Sequence, residues 1–139
     1  MNAVDTNVLV YTVDRHDSAR QLKARQVVRD IRRQHNGVLL WQALAEFVNV
    51  LREWERQGKL TRHDVHRYRK RFPRLFPCVM PTLNLIETAA RLFDTHSLSH
   101  WDSMLVAACI EAGVHVLYTE DMGAPRQIES VRLINPFGP

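Results

Sequence analysis

The chain has 139 residues, 45% apolar and 24% charged, with five glycines and no low-complexity tract, the makeup of one folded domain spanning 1–139. No apolar run approaches the roughly 20 residues that span a bilayer, MNAVDTN lacks the parts of a secretory signal, and Cys78 and Cys109 form no metal-type pair; a cytoplasmic protein with buried, reduced thiols and no membrane partner is expected. Net charge is +4 and 16 of the 19 basic residues are arginine, whose planar fork suits phosphates and points to a nucleic-acid partner.

In chain order the elements alternate between β and α. Ala3-Val4 reads as a short strand, and Asp-Thr-Asn turns from it into a helix through Val-Leu-Val-Tyr. Residues 18–35 form a second helix with Leu22, Val27, Val28 and Ile31 on its apolar face, and Asn36-Gly37 stops it in the left-handed region. Residues 38–41 (VLLW) read as a buried strand. The stretch 42–57 is an amphipathic helix carrying Phe47, Val50, Leu51 and Trp54, closed by Gly58. Thr61 and Asp64 form a capping box for the next helix, which Pro73 is expected to break near its end. A helix over 83–96 presents Leu85, Ile86, Ala89, Ala90, Leu92 and Phe93. Ser99 and Asp102 open another, ended by Gly113. Residues 114–118 and 131–134 are strands around the loop 119–123. Strands this short, linked through helices, predict a single α/β domain: a parallel sheet flanked by helices on both faces.

In such a sheet ligands bind outside the carboxyl ends of the strands. Asp5 follows the first strand and Asp121 lies three residues beyond Tyr118. Glu46 and Asp102 fall in the first turns of helices, which begin where strands end. Singly, Asp5 and Asp102 read as helix caps and Asp121 as a loop residue. Four acids on one edge repel unless protonated or neutralised. Their hard oxygens suit magnesium or manganese, and no Cys or His cluster of zinc spacing accompanies them. One or two such ions activate water, orient it in line with a phosphodiester and stabilise the leaving oxygen.

VDTNVLVY (4–11), AEFVNVL (45–51), SHWDSMLVAACIEAG (99–113), LYTEDM (117–122) and the closing VRLINPF resemble the motifs of PIN-domain ribonucleases, the VapC toxins of bacterial toxin–antitoxin pairs in particular, over essentially the full length. The resemblance implies a four-acid site binding magnesium or manganese. Asp5 and Asp102 would be its most direct ligands, and Glu46 and Asp121 would complete it partly through water. Thr119 would orient the fourth acid, Asn7 would line the pocket, and Glu120 stands as an alternative to Asp121. It also implies RNA cleavage, a small antitoxin covering the cleft, and a homodimer. The first strand is shorter than usual for the family, which is expected to weaken the sheet edge.

Between Arg52 and Arg74 nine basic side chains face three acidic ones, interleaved with His63, His66 and Tyr68. Either this is a solvated helical face or it is a phosphate-contacting flank carrying Arg67, Arg69, Lys70 and Arg71. His96 and His100 are assigned to helix ends or the surface; Trp41, Trp54 and Trp101 to the core or a dimer interface; Met80 and Cys109 to packing. The competing functions are a PIN-fold nuclease of RNA processing or of DNA without a toxin role, and a non-catalytic RNA-binding module. A haloacid-dehalogenase-like phosphatase would need an acid where Asn7 stands.

Overall fold

The computed structural model describes residues 1–138. Its elements are β1 (Asn2–Val4), α1 (Thr6–Val13), α2 (Ser18–Arg33), β2 (Leu39–Leu40), α3 (Trp41–Arg56), α4 (Arg62–Leu75), β3 (Cys78–Val79), α5 (Asn84–Thr95), α6 (His100–Ala112), β4 (Val116–Tyr118), β5 (Arg126–Ile128) and β6 (Val131–Ile134). One sheet runs β1-β4-β6-β5, and β2 pairs with β3 in a second. The β1–β4, β4–β6 and β2–β3 pairings are parallel. A bridge between Asn2 and Gly37 ties the two sheets. Helices α1 to α4 pack as one group and α5 with α6 as another. The α/β expectation holds.

The details correct several expectations. The sheet is mixed: β5 returns antiparallel to β6, with Ile128 opposite Val131. Short as it is, β1 is the terminal strand of that sheet, yet its outer edge is not left open. It lies between β4 and Gly37, where Asn2 donates to Asn36 O and accepts from Val38 N–H. Gly37 does not stop α2; His35 holds the positive φ there. Gly37 is instead needed for close packing, because a Cβ would meet the Ile31 side chain and stand 2.8 Å from the Phe76 ring. Pro73 lies inside α4, which runs two residues further; in the last turn a proline costs one hydrogen bond and little else.

The buried face of α2 is Ala24, Val28 and Ile31, and Leu22 is 69% exposed. On α5, Leu85, Ala89 and Leu92 are buried, whereas Ile86, Ala90 and Phe93 face out. Cys78 is exposed, against expectation; Cys109 is buried. Trp41, Trp101 and Met80 are exposed rather than packed in the core, and Trp54 is half-buried. Helix α6 encloses Ser103, Leu105, Val106, Ala107 and Cys109. It starts at Ser99, whose Oγ accepts from Asp102 N–H at 3.1 Å, and ends on Gly113 at φ 69°.

An acidic cleft at the carboxyl ends of the strands

Chain direction places the first acid. Asp5 N–H donates to Tyr118 O at 2.9 Å, extending the β1–β4 ladder by one residue. The Asp5 side chain then caps α1, Oδ1 accepting from Thr6 N–H at 2.6 Å. Oδ2 accepts from the Thr119 hydroxyl at 2.8 Å. Thr119 is wholly buried just past β4, and its oxygen also accepts from Asp121 N–H at 3.0 Å. One hydroxyl therefore couples the first acid to the loop bearing the fourth. Asn7, two residues into α1, donates to Asp121 Oδ2 at 2.9 Å.

Helix α3 begins directly after β2 and presents Glu46 in its second turn. Glu46 accepts from the Thr6 hydroxyl at 3.1 Å and from Gln42 Nε2 at 3.0 Å. Gln42 also donates to Trp101 O at 3.1 Å, joining α3 to the first turn of α6, where Asp102 stands. Asp5, Glu46, Asp102 and Asp121 all line one cleft of about 490 Å³, with Asn7, Gln42, Tyr11 and Trp101 around them. Asp14 adds a carboxylate at its rim.

The acids differ in surroundings. Asp5 is 6% exposed. Burial pushes its carboxyl up to about 6; the Thr119 and Thr6 hydrogen bonds oppose this, and the Asp121 and Glu46 charges add to it. Asp102 is raised chiefly by burial, against its Ser99 bond and with the Asp121 and Glu46 charges. Glu46 and Asp121 are exposed. Glu120 faces elsewhere: it accepts from the Tyr11 hydroxyl at 2.8 Å and pairs with Arg20 at 3.5 Å. It does not line the cleft, so of the two adjacent acids only Asp121 joins the others. The Tyr11 hydroxyl, partly buried and bonded to Glu120, is pushed up to about 12.

The donor set fits a hard divalent cation: carboxylate oxygens, no thiol or imidazole, and Asn7 Oδ1, buried without a hydrogen-bond partner. Among the described residues no three acid, histidine or cysteine side chains are drawn together tightly enough to hold one ion between them. Each of Asp5, Glu46 and Asp121 has its own neutral donors instead. Sequence reasoning passed over Gln42 and Asp14. Gln42 is neutral and belongs to no acid pattern, but its place four residues before Glu46 at a helix start is a readable signal.

The basic candidates on α4 separate. Arg67 and Arg71 stack on the Tyr68 ring, each 5.0 Å from its centroid. Arg69 is half-buried and bonded to His66, and Lys70 is exposed. His96 caps α5 and lies 3.1 Å from Glu129; His100 opens α6 beside Trp101.

These features define a class: a short-stranded α/β domain with carboxylates gathered where its parallel strands end. A family model for the PIN domain matches residues 3–127, and the chain belongs to that family. No curated protein sequence matches it closely. Among solved structures, a toxin–antitoxin complex from Klebsiella pneumoniae shares the fold at TM-score 0.70 and 15% identity, covering 98% of each chain. VapBC2 from Rickettsia felis, bound to a DNA fragment from its promoter, gives 0.66 and 12%, over 95% of this chain and 96% of that one. Mycobacterium tuberculosis VapC20, a sarcin–ricin-loop-cleaving toxin, gives 0.64 and 16%, over 88% and 92%.

Proposed function

We propose that the chain is a magnesium- or manganese-dependent endoribonuclease, the toxin of a toxin–antitoxin pair, with all 139 residues forming its PIN domain and Asp5, Glu46, Asp102 and Asp121 as its metal-binding, catalytic acids. The observation that carries this reading is the cleft itself: four carboxylates share it, and the most buried, Asp5, is held near 6 by its surroundings. Sheltering like charges costs stability unless a cation or a substrate repays it. Bound there, the ion would neutralise the acids and supply the Lewis acidity that phosphodiester hydrolysis requires.

The chain's own groups do the rest. Asp5 and Asp102 would hold the ion most directly, and Glu46 and Asp121 would complete the set, steered by Gln42 and Thr6 on one side and Asn7 and Thr119 on the other. The basic chain around an acidic cleft would draw in a polyanion and bring its scissile phosphate to the carboxylates and the ion they would hold. Two protein partners belong to the proposal. One is an antitoxin that covers the cleft, in keeping with the toxin–antitoxin complexes among the structural neighbours. The other is a second copy of this chain, for which the exposed Trp101, Met80, Leu83 and Ile86 supply apolar surface. Among the described residues no helix is long and apolar enough to cross a membrane, in keeping with action in the cytoplasm.

The test is to induce the unsubstituted chain and Asp5→Asn separately in cells and map RNA 5′ ends. New ends should follow induction of the first and not of the second. If the unsubstituted chain makes none, or both make the same ones, the catalytic reading fails.

A further inference from the structure

A second cavity lies away from the acids. It has a volume of about 240 Å³, a floor that includes Val28 and Phe72, and walls of Arg25, Arg29 and Arg32 from α2 and Arg71 from α4. No acid lines it. The three α2 arginines recur at i, i+4 and i+7, one helical stripe. Among the described residues Arg20, Arg56, Arg62, Arg67 and Arg91 each pair with a carboxylate, whereas these four arginines pair with none. Three of the four are positioned all the same. Arg25 Nε donates to Thr12 O at 3.0 Å, Arg29 donates to Gln26 Oε1 at 3.3 Å, and Arg71 lies over the Tyr68 ring. Four guanidiniums around one apolar-floored cavity repel each other until an anion enters, and their planar forks select phosphate oxygens.

A chain of shared or stacked residues links this cavity to the cleft. Asp14 lines both the acidic cleft and an intermediate cavity of about 350 Å³. The intermediate cavity is lined by the half-buried Trp54 and the exposed His16 beside Lys59 and Arg15, with Asp14, Asp64 and the buried Tyr68 also on its wall; ring surfaces beside cations are of the kind that hold unpaired bases and their phosphates. Tyr68 ends that cavity, and Arg71, stacked on it, opens the next.

We infer that the α2–α4 groove is a distal phosphate-binding site for the RNA strand whose scissile bond lies in the acidic cleft. The site selects substrates with a single-stranded segment long enough to span both. This rests on the ribonuclease reading and adds to it a determinant of substrate length that lies outside the four acids.

The experiment measures binding of the full chain to fluorescent single-stranded RNAs of about 4 to about 16 nucleotides, the range of ordinary single-strand sites, in EDTA so that the RNA stays intact. The triple variant Arg25→Gln, Arg29→Gln, Arg32→Gln should bind the long RNA about tenfold more weakly. Its log–log salt slope should shrink by about 2, at ~0.7 for each lost phosphate contact. The shortest RNA should bind as before. Arg71→Gln, from the opposite wall, should reproduce a smaller loss of the same length dependence, which reads the site even if the triple variant folds poorly. Equal losses at every length, or none, overturn the inference. So does competition by inorganic tripolyphosphate that depends on these arginines while long-RNA binding does not. Cleavage of the long RNA in magnesium by the unsubstituted chain and not by Asp5→Asn tests the catalytic reading separately; its absence sinks that reading and leaves the length comparison of binding standing.

Discussion

The acidic cleft and the arginine groove are both clusters of like charge, and the fold treats them in opposite ways. In the cleft the acids are partly enclosed, and neutral donors restrain them: Thr119 and the Thr6 amide on Asp5, Asn7 on Asp121, Gln42 on Glu46. In the groove Arg25, Arg29 and Arg32 stand in solvent on one helix face. Enclosure raises the cost of a charge steeply, whereas solvent screens it. On the proposed reading the cleft therefore stores free energy that a cation would release, while the groove stores little and would act mainly on binding. Substitutions in the two regions should separate in size, sign and observable.

The largest effect belongs to the cleft. Asp5→Asn keeps the shape of the cap and removes the charge. Cleavage of an oligonucleotide by the purified chain should fall by at least about a thousandfold, some 4 kcal/mol of transition-state stabilisation. The arginine triple variant should cleave a short RNA within a few-fold of the unsubstituted rate. Comparable losses from the two would mean that the regions are not functionally distinct.

The next effect is on stability and follows from proton linkage. Asp5 has its proton equilibrium near 6 in the folded chain against an ordinary 3.8, so the folded chain binds the proton more tightly. The stability this supplies is complete below pH ~3.8 and is lost as pH rises through about 6, a total of about 3 kcal/mol at most. In EDTA, chemical denaturation between pH 4 and 7 should show this decline for the unsubstituted chain and a clearly smaller one for Asp5→Asn, in which Asp102 is still raised by burial. Magnesium should restore stability at pH 7 to the unsubstituted chain alone. A flat profile for both would show that burial does not strain Asp5.

On the proposed reading Thr119 would act as a positioning residue, through its hydrogen bonds to Asp5 and the loop of Asp121. Thr119→Val preserves shape and deletes both hydrogen bonds. Activity should fall about 10- to 100-fold, as for partners that orient ligands. Because the Thr119 bond lowers the Asp5 carboxyl, its loss should also move the pH-dependent decline in stability to higher pH. A merely structural threonine would lower stability without moving that midpoint.

What was legible in the sequence follows the same division. Asp5, Asp102 and Asp121 stand beside strong local signals, a strand end, a Ser99 cap and a strand-to-loop step, and chain direction then carries them to one edge. Their shared edge needed no knowledge of side-chain packing. The partners were less visible: Gln42 and Asp14 are ordinary residues until α3 and α1 are set side by side. Strand β5 hid because Arg126 and Gln127 show no apolar alternation, and its pairing depends on the turn at Glu129 with Val131 beyond. Leu22 was misplaced because its helix has apolar residues on more than one line, and only packing against α1 selects Ala24, Val28 and Ile31. The 25–29–32 stripe can be seen in the sequence, but Arg71 joins it only through the tertiary fold.

A smaller effect separates the two adjacent acids of the fourth motif. Glu120→Gln removes the ion pair with Arg20 but can still accept from the Tyr11 hydroxyl. It should cost at most about 1 kcal/mol, the range of an exposed ion pair, and leave cleavage within about threefold. Asp121→Asn should leave stability almost unchanged and reduce cleavage far more. Reversed outcomes would move the fourth position to Glu120.

The smallest effect is in the groove. Arg25, Arg29 and Arg32 are exposed, and none is held in an ion pair among the described residues, so neutralising any one should shift the urea midpoint by no more than about 0.5 kcal/mol in free energy. The sign should be favourable at low salt, because a like charge leaves a cluster, and the gain should vanish by about 1 M salt, where the screening length falls to ~3 Å. Neutralising Asp5, inside the protein, should retain its gain at high salt. A groove arginine whose removal destabilised the chain by several times this amount would be holding α2 against α4. Its weakened RNA binding would then report a loosened fold, and the length dependence at Arg71→Gln would be left to decide whether phosphate binds there.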